Sequence, residues 1–147
     1  MMPRNRWAVA WSGLTAAFAL HVLDEATHDF LRYYNPNALR WQERLGFPFP
    51  PVFSFELWLG GLLSAVLLLA LLTPLIRPGA RWAITAAYIY GAVHTANAIG
   101  HIGRSVVGQW LAPGVLSSPI LLATALWLLH ETNRVRRAAA AQPLTPA

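Results

Sequence analysis

Residues 60–76 read GGLLSAVLLLALLTPLI, a run without a single charged side chain. Extended back to Ser54, the stretch covers 54–76 and gains one acid, Glu56. A helix needs roughly 20 mostly apolar residues to cross ~30 Å of hydrocarbon, so 54–76 is long enough. Strands would have to close into a barrel and show a two-residue alternation, which is absent here. Working outward, three further apolar stretches appear: 7–30 (apolar through Leu23, then mixed), 81–102 and 115–131. The expected fold is all-α, a transmembrane four-helix bundle running up-down-up-down. It would occupy 1–133, leaving 134–147 as a basic, then Ala/Pro-rich disordered tail.

Composition agrees with a chain whose surface faces lipid. Apolar residues make up 56% of the 147 positions and charged residues 12%, against roughly a quarter charged in soluble domains. The net charge of +5 is no nucleic-acid footprint: every basic residue is arginine, and the arginines lie between apolar runs rather than in one patch. With no cysteine, disulfides, thiolate metal sites and thiol catalysis are excluded. The motifs G-x-S-x-G, the phosphate loop and H-E-x-x-H are also missing.

The connectors fit the same plan. Residues 33–51, YYNPNALRWQERLGFPFPP, form a polar, proline-rich link with a short interfacial helix expected near 38–45. Arg77-Pro78-Gly79-Ala80-Arg81 reads as a tight turn, and 108–114 as another. Arg4, Arg6, Arg77, Arg81, Arg134, Arg136 and Arg137 fall on one side of the spans, and Arg32, Arg40, Arg44 and Arg104 on the other. The positive-inside rule then places both termini in the cytoplasm. Trp7, Trp11, Trp82 and Trp127 would belong to the inner aromatic belt, Trp41 and Trp110 to the outer one. A rival reading takes Arg4, Arg6, the following apolar run and Ala17-Phe18-Ala19 as a cleavable signal peptide, which would leave three spans.

Ionisable groups inside a membrane helix are costly and usually face a partner or a cavity. The first span holds His21, Asp24, Glu25 and His28, which at ~100° per residue share one face. The third span holds His94, Asn97 and His101, also on one face, with Tyr90 one turn earlier. Counting the rise per residue from Trp7 and from Arg81 puts His21 level with His94, Glu25 with Asn97 or Ala98, and His28 with His101. Glu56 falls in the same outer half. The expected site is therefore one polar pocket between helices, with His21, Asp24, Glu25 and His94 as catalytic candidates. Asn97, Glu56 and Tyr90 support it. Plainer roles compete: boundary residues for His28, Asp29 and His101, a hydrogen-bonded helix clamp for His21, Glu25 and His94, packing for Asn97 and Tyr90. His130 and Glu131 read as interfacial anchors.

The segment His21-Val22-Leu23-Asp24-Glu25, the downstream histidines and Ala112-Pro113-Gly114 resemble the HXXEE domain family of small multi-pass membrane proteins. That family carries H-x-x-E-E, a further histidine and Y-x-P-G. Asp24 stands where the first glutamate would be, and Leu111 where the tyrosine would be. The resemblance implies a site of His21, Asp24, Glu25 and one of His94 or His101. It supplies no reaction.

Three chemistries suit such a pocket. In a metal centre, His21, Glu25, His28, His94 and His101 would hold zinc or iron, one ion on His21, Glu25 and His94 and a second on His28 and His101. In metal-free acid–base catalysis, a carboxyl and an imidazole would act on an alkene, epoxide or double bond of a lipophilic small molecule. The third option is a non-enzymatic proton or ion path or a lipid-binding pocket. The bilayer is the expected partner; nothing in the chain specifies an oligomeric state.

Overall fold

The computed structural model describes residues 3–76, 80–108 and 110–141. Among them lie five α-helices and no strand: α1 (Pro3–Thr27), α2 (Phe30–Leu45), α3 (Phe55–Leu72), α4 (Arg81–Gly108) and α5 (Ser118–Ala140), with a single 3-10 turn, Thr73–Leu75, after α3. The turn expected at 77–79, position 109 and the tail from 142 lie outside the described residues.

α1 is the axis of the packing. Trp7, Ala10, Trp11, Leu14, Ala17, Phe18 and Val22 recur at three- and four-residue intervals and are buried, the stripe of a helix that packs along its whole length. α5 answers with Leu121, Ala125, Leu128 and Val135, and α4 with Ala83, Ala87, Tyr90 and Ala98. α4 lies so close to α5 that a Cβ on Gly91 would meet Leu129 Cδ2 at 2.7 Å. Two indoles fasten α1 to its neighbours. Trp7 Nε1 donates to Thr132 Oγ1 at 2.9 Å, and Trp11 Nε1 to the Leu69 carbonyl at 3.0 Å. Neither tryptophan sits in an exposed belt as expected; both are buried. Cleavage after Ala19 would strip Trp7, Trp11 and Leu14 from this core.

α3 packs on α1 and exposes most of its leucines, Leu57, Leu63, Leu67, Leu68 and Leu71 among them. Ser54 caps its start, accepting from Leu57 N at 3.3 Å. With the following turn it forms Phe55–Leu75, the one helix among the described residues long and apolar enough to cross a membrane. α1, α4 and α5 stand where further spans were expected. α1 and α5 carry internal His, Asp, Glu or Arg residues, and α4 between its arginines is diluted by His94, Asn97, His101 and its tyrosines, threonines and glycines.

Several boundaries differ from expectation: α1 starts at Pro3 rather than 7 and α4 runs on to Gly108 rather than 102. The first helix stops at Thr27, not at 30. Thr27 Oγ1 takes the Leu23 and Asp24 carbonyls, His28 Nδ1 also takes Asp24 O, and Asp29 turns left-handed at φ 53°. These side chains satisfy the carbonyls a helix end leaves open, and α2 starts at once. α2 is a full sixteen-residue amphipathic helix, well beyond the turn or two expected near 38–45. α5 begins at Ser118, where Pro119 suits a first turn, and continues through Arg134, Arg136 and Arg137 to Ala140. Residues 134–140 are therefore helix rather than disordered tail.

Candidate metal centre

Three buried side chains from two helices converge. His21 and Glu25 lie one turn apart on α1, and His101 comes from α4. His101 Nε2 is 3.1 Å from Glu25 Oε1, and His21 Nε2 is 3.7 Å from the same oxygen. The two imidazoles meet edge to face, their centroids 4.8 Å apart. One ligand atom from each residue lies within 4.8 Å of the others, and none of the three is more than 5% exposed.

The loop before α5 builds the wall of this cluster. The Pro113 carbonyl accepts a hydrogen bond from His101 Nδ1. A carbonyl has no proton to give, so Nδ1 carries a hydrogen; Nε2, facing Glu25, holds a lone pair when the ring is neutral and a second hydrogen when it is charged. Gly114 follows at φ 84°, in the left-handed region that favours glycine. A Cβ there would lie 2.8 Å from His21 Cε1 and 2.9 Å from His101 Cε1. Both rings thus press against bare backbone, which gives the Pro-Gly pair a physical task. On the far side Phe30 packs on His101 at 6.0 Å and on Trp58 at 5.6 Å, closing the site with the start of α2 and α3.

Asp24 points elsewhere. Neighbours on a helix are ~100° apart, so Asp24 and Glu25 cannot face the same point. Asp24 Oδ2 accepts from the Ser117 backbone N–H and Ser117 Oγ, each at 2.8 Å, and Oδ1 lies 3.0 Å from His28 Nδ1. Ser117 Oγ in turn is 2.8 Å from His21 Nδ1. His21 Nε2, buried and aimed at Glu25, has no hydrogen-bond partner.

Of the remaining candidates, Asn97 alone touches the cluster. His94 is buried between Phe18, at 4.4 Å, and Tyr90, at 4.9 Å, and His101 takes the place expected for it beside His21 and Glu25. The levels counted from Trp7 and Arg81 are displaced: His94 faces Phe18, three residues or ~4.5 Å before His21. The two starting marks are not level: α1 begins at Pro3, ahead of Trp7, whereas α4 begins at Arg81 itself, so each residue of α4 meets one earlier in α1 than a count from Trp7 gives. The pairing of His28 with His101 is likewise not formed, since His28 is half-exposed and spends Nδ1 on Asp24. Glu56 is exposed in the first turn of α3. Asn97 is exposed as a residue on α4, yet its side chain reaches the His21 imidazole. Tyr90 is core, its hydroxyl donating to Thr15 Oγ1 at 3.2 Å. Ser117 carried no signal as a site residue, because a lone serine looks ordinary until the fold sets it beside a histidine, and Pro113 was marked only by its motif, not as a backbone acceptor for His101.

At the other end of α1 lies a second polar group. Glu131, expected as an exposed anchor, is 1% exposed and held by Arg6 at 3.3 Å and Arg134 at 3.2 Å. His130 is exposed.

Two imidazole nitrogens and a carboxylate oxygen form a donor set suited to zinc or non-haem iron. The fold and this cluster define an all-helical protein with a buried His/Glu group able to hold a metal ion. The chain belongs to the family described as a protein of unknown function with HXXEE motif, whose model matches residues 12–128. No curated protein and no solved structure matches it.

Proposed function

We propose that the protein is a multi-pass membrane enzyme that binds one zinc or iron ion on His21, Glu25 and His101 and acts on a lipophilic substrate. The observation that carries this is the 3.1 Å contact between His101 Nε2 and Glu25 Oε1. With Nδ1 bound to the Pro113 carbonyl, a lone pair faces a carboxylate oxygen inside the core. Such a pair repels unless a cation or a proton lies between. The unpartnered His21 Nε2 beside it offers a third donor, and tetrahedral zinc spaces its ligands about 3.3 Å apart. Three protein ligands leave a position open for water or substrate, the arrangement of catalytic rather than structural zinc.

The membrane part rests on an inside-out distribution. Ionisable groups are interior: His21, Asp24, Glu25, His94, His101 and Glu131 are all buried. Large apolar side chains face out on every long helix, including Leu20 and Leu23, Leu67 and Leu71, Ile89 and Ile99, and Ile120 and Leu126. Lipid favours such a surface and water does not. In this reading α1, α3, α4 and α5 cross the bilayer and both termini are cytoplasmic. A groove of about 350 Å³ lined by Leu20, Leu23, Leu116, Asp24, Thr27, His28 and Ser117 offers an apolar chain a place against the wall of the site.

The second reading replaces the ion with a proton shared by His101 and Glu25, giving acid–base catalysis. The 4.8 Å spread of the ligand atoms, wider than a zinc edge, favours it. Elemental analysis of detergent-purified protein, wild type beside His101→Ala and Glu25→Gln, separates the two. The metal reading predicts one zinc or iron per chain, lost in both variants. Metal-free wild type after growth with added zinc and iron contradicts it and leaves the proton-sharing pair.

A further inference from the structure

We infer that Asp24 acts through Ser117 as a positioning residue that fixes the tautomer of His21, so that Nδ1 carries the hydrogen and Nε2 is left as a lone pair aimed at Glu25. This deepens the metal reading and rests on it for its purpose, but not for its test.

The hydrogens available to this group fix the tautomer. Ser117 Oγ has one to give and three acceptors within reach: Asp24 Oδ2 at 2.8 Å, the Gly114 carbonyl at 3.2 Å and His21 Nδ1 at 2.8 Å. The carboxylate is the strongest and best-placed acceptor, because a charge-assisted bond outweighs a neutral one. The Ser117 backbone N–H bonds the same Oδ2 at 2.8 Å, which locks the serine against the carboxylate. Gly114 O is meanwhile taken by Ser118 Oγ at 2.7 Å. With its hydrogen spent on Asp24, Ser117 Oγ can only accept from His21, so His21 Nδ1 must be the N–H. His21 Nε2 then has no hydrogen, and as a buried lone pair 3.7 Å from Glu25 Oε1 it is left for a cation or a proton to satisfy.

His101 reaches the same state by a different route, through the Pro113 carbonyl. Both outer nitrogens thus donate to fixed acceptors on the loop before α5, and in the neutral rings both inner nitrogens present lone pairs to one point. An acceptor behind each imidazole is what metal-ligating histidines generally have. The two adjacent acids of the motif divide the work by geometry. Glu25 faces the cluster, and Asp24, ~100° around the helix, reaches the loop that orients its histidine.

The test reads the tautomer in metal-free protein. Nitrogen-15 spectra of histidine-labelled protein in detergent, recorded where the imidazoles are neutral, assign His21 by comparison with His21→Gln. Wild type is expected to show the Nδ1–H form for His21. Ser117→Ala is expected to lose that preference and to weaken zinc binding about 10- to 100-fold, whereas Ser117→Thr, which keeps the hydroxyl, restores both. An Nε2–H tautomer in wild type overturns the inference, and so does a Ser117→Ala protein whose His21 signals match wild type. If wild type binds no zinc yet His21 is Nδ1–H and responds to Ser117→Ala, the positioning stands and only the metal reading falls.

Discussion

Gly114 lies against His21 so closely that a Cβ on it would meet the imidazole Cε1 at 2.8 Å, and its φ of 84° is one that L side chains avoid. The same missing Cβ leaves room for His101. The Gly114→Ala variant therefore suffers twice. The left-handed backbone costs about 1–2 kcal/mol, and both rings must swing off their acceptors. The expected result is a folded but less stable protein without bound metal, checked by thermal unfolding beside elemental analysis.

His94 and His101 are seven residues apart on one helix, and only His101 reaches Glu25. His94→Phe is expected to keep the metal, since a phenyl ring fills the slot between Phe18 and Tyr90, while His101→Phe loses it. Metal content of the two purified variants checks this, and equal loss in both would count against the assignment.

The cluster around Glu131 serves as an internal control. Glu131→Gln removes the charge that holds Arg6 and Arg134 at 3.3 and 3.2 Å. Because both guanidiniums are about half exposed, water takes over much of that contact, and the expected loss is about 1–2 kcal/mol rather than the 3–5 of a fully buried pair. Unfolding in detergent should register the drop while metal content stays at the wild-type level.

Close approach of α4 and α5 depends on Gly91. A Cβ there would lie 2.7 Å from Leu129 Cγ and Cδ2 and 3.4 Å from the Ala125 carbonyl. Gly91→Val is expected to push the helices apart at a cost of about 1–3 kcal/mol, seen as a lowered melting temperature. Gly60→Val, where nothing lies within 4 Å of the added Cβ, should not repeat the effect.

The length of the apolar runs made α1, α3, α4 and α5 legible, because runs of that length have few ways to fold other than as helices. Helical periodicity put His21 and Glu25 on one face, and the H-x-x-D-E and Pro-Gly motifs pointed to their neighbours. The choice between His94 and His101 was not legible. Both lie on the same face of α4, and only the axial offset between α1 and α4, set by packing around Trp7, Trp11 and Phe18, decides which of them meets Glu25. Ser117 was invisible for a related reason: its role comes from a loop fold that brings residue 117 beside residue 24. Glu131 looked like an end-of-helix charge because its partner Arg6 lies at the other end of the sequence.

X-ray absorption at the zinc edge, on protein loaded with one equivalent of zinc in detergent, tests the centre most directly. The account predicts a first shell of light atoms at ~2.0–2.1 Å with the outer scattering of two imidazoles, reduced to one in His101→Ala. A spectrum without imidazole scattering, or one unchanged by His101→Ala, would contradict it.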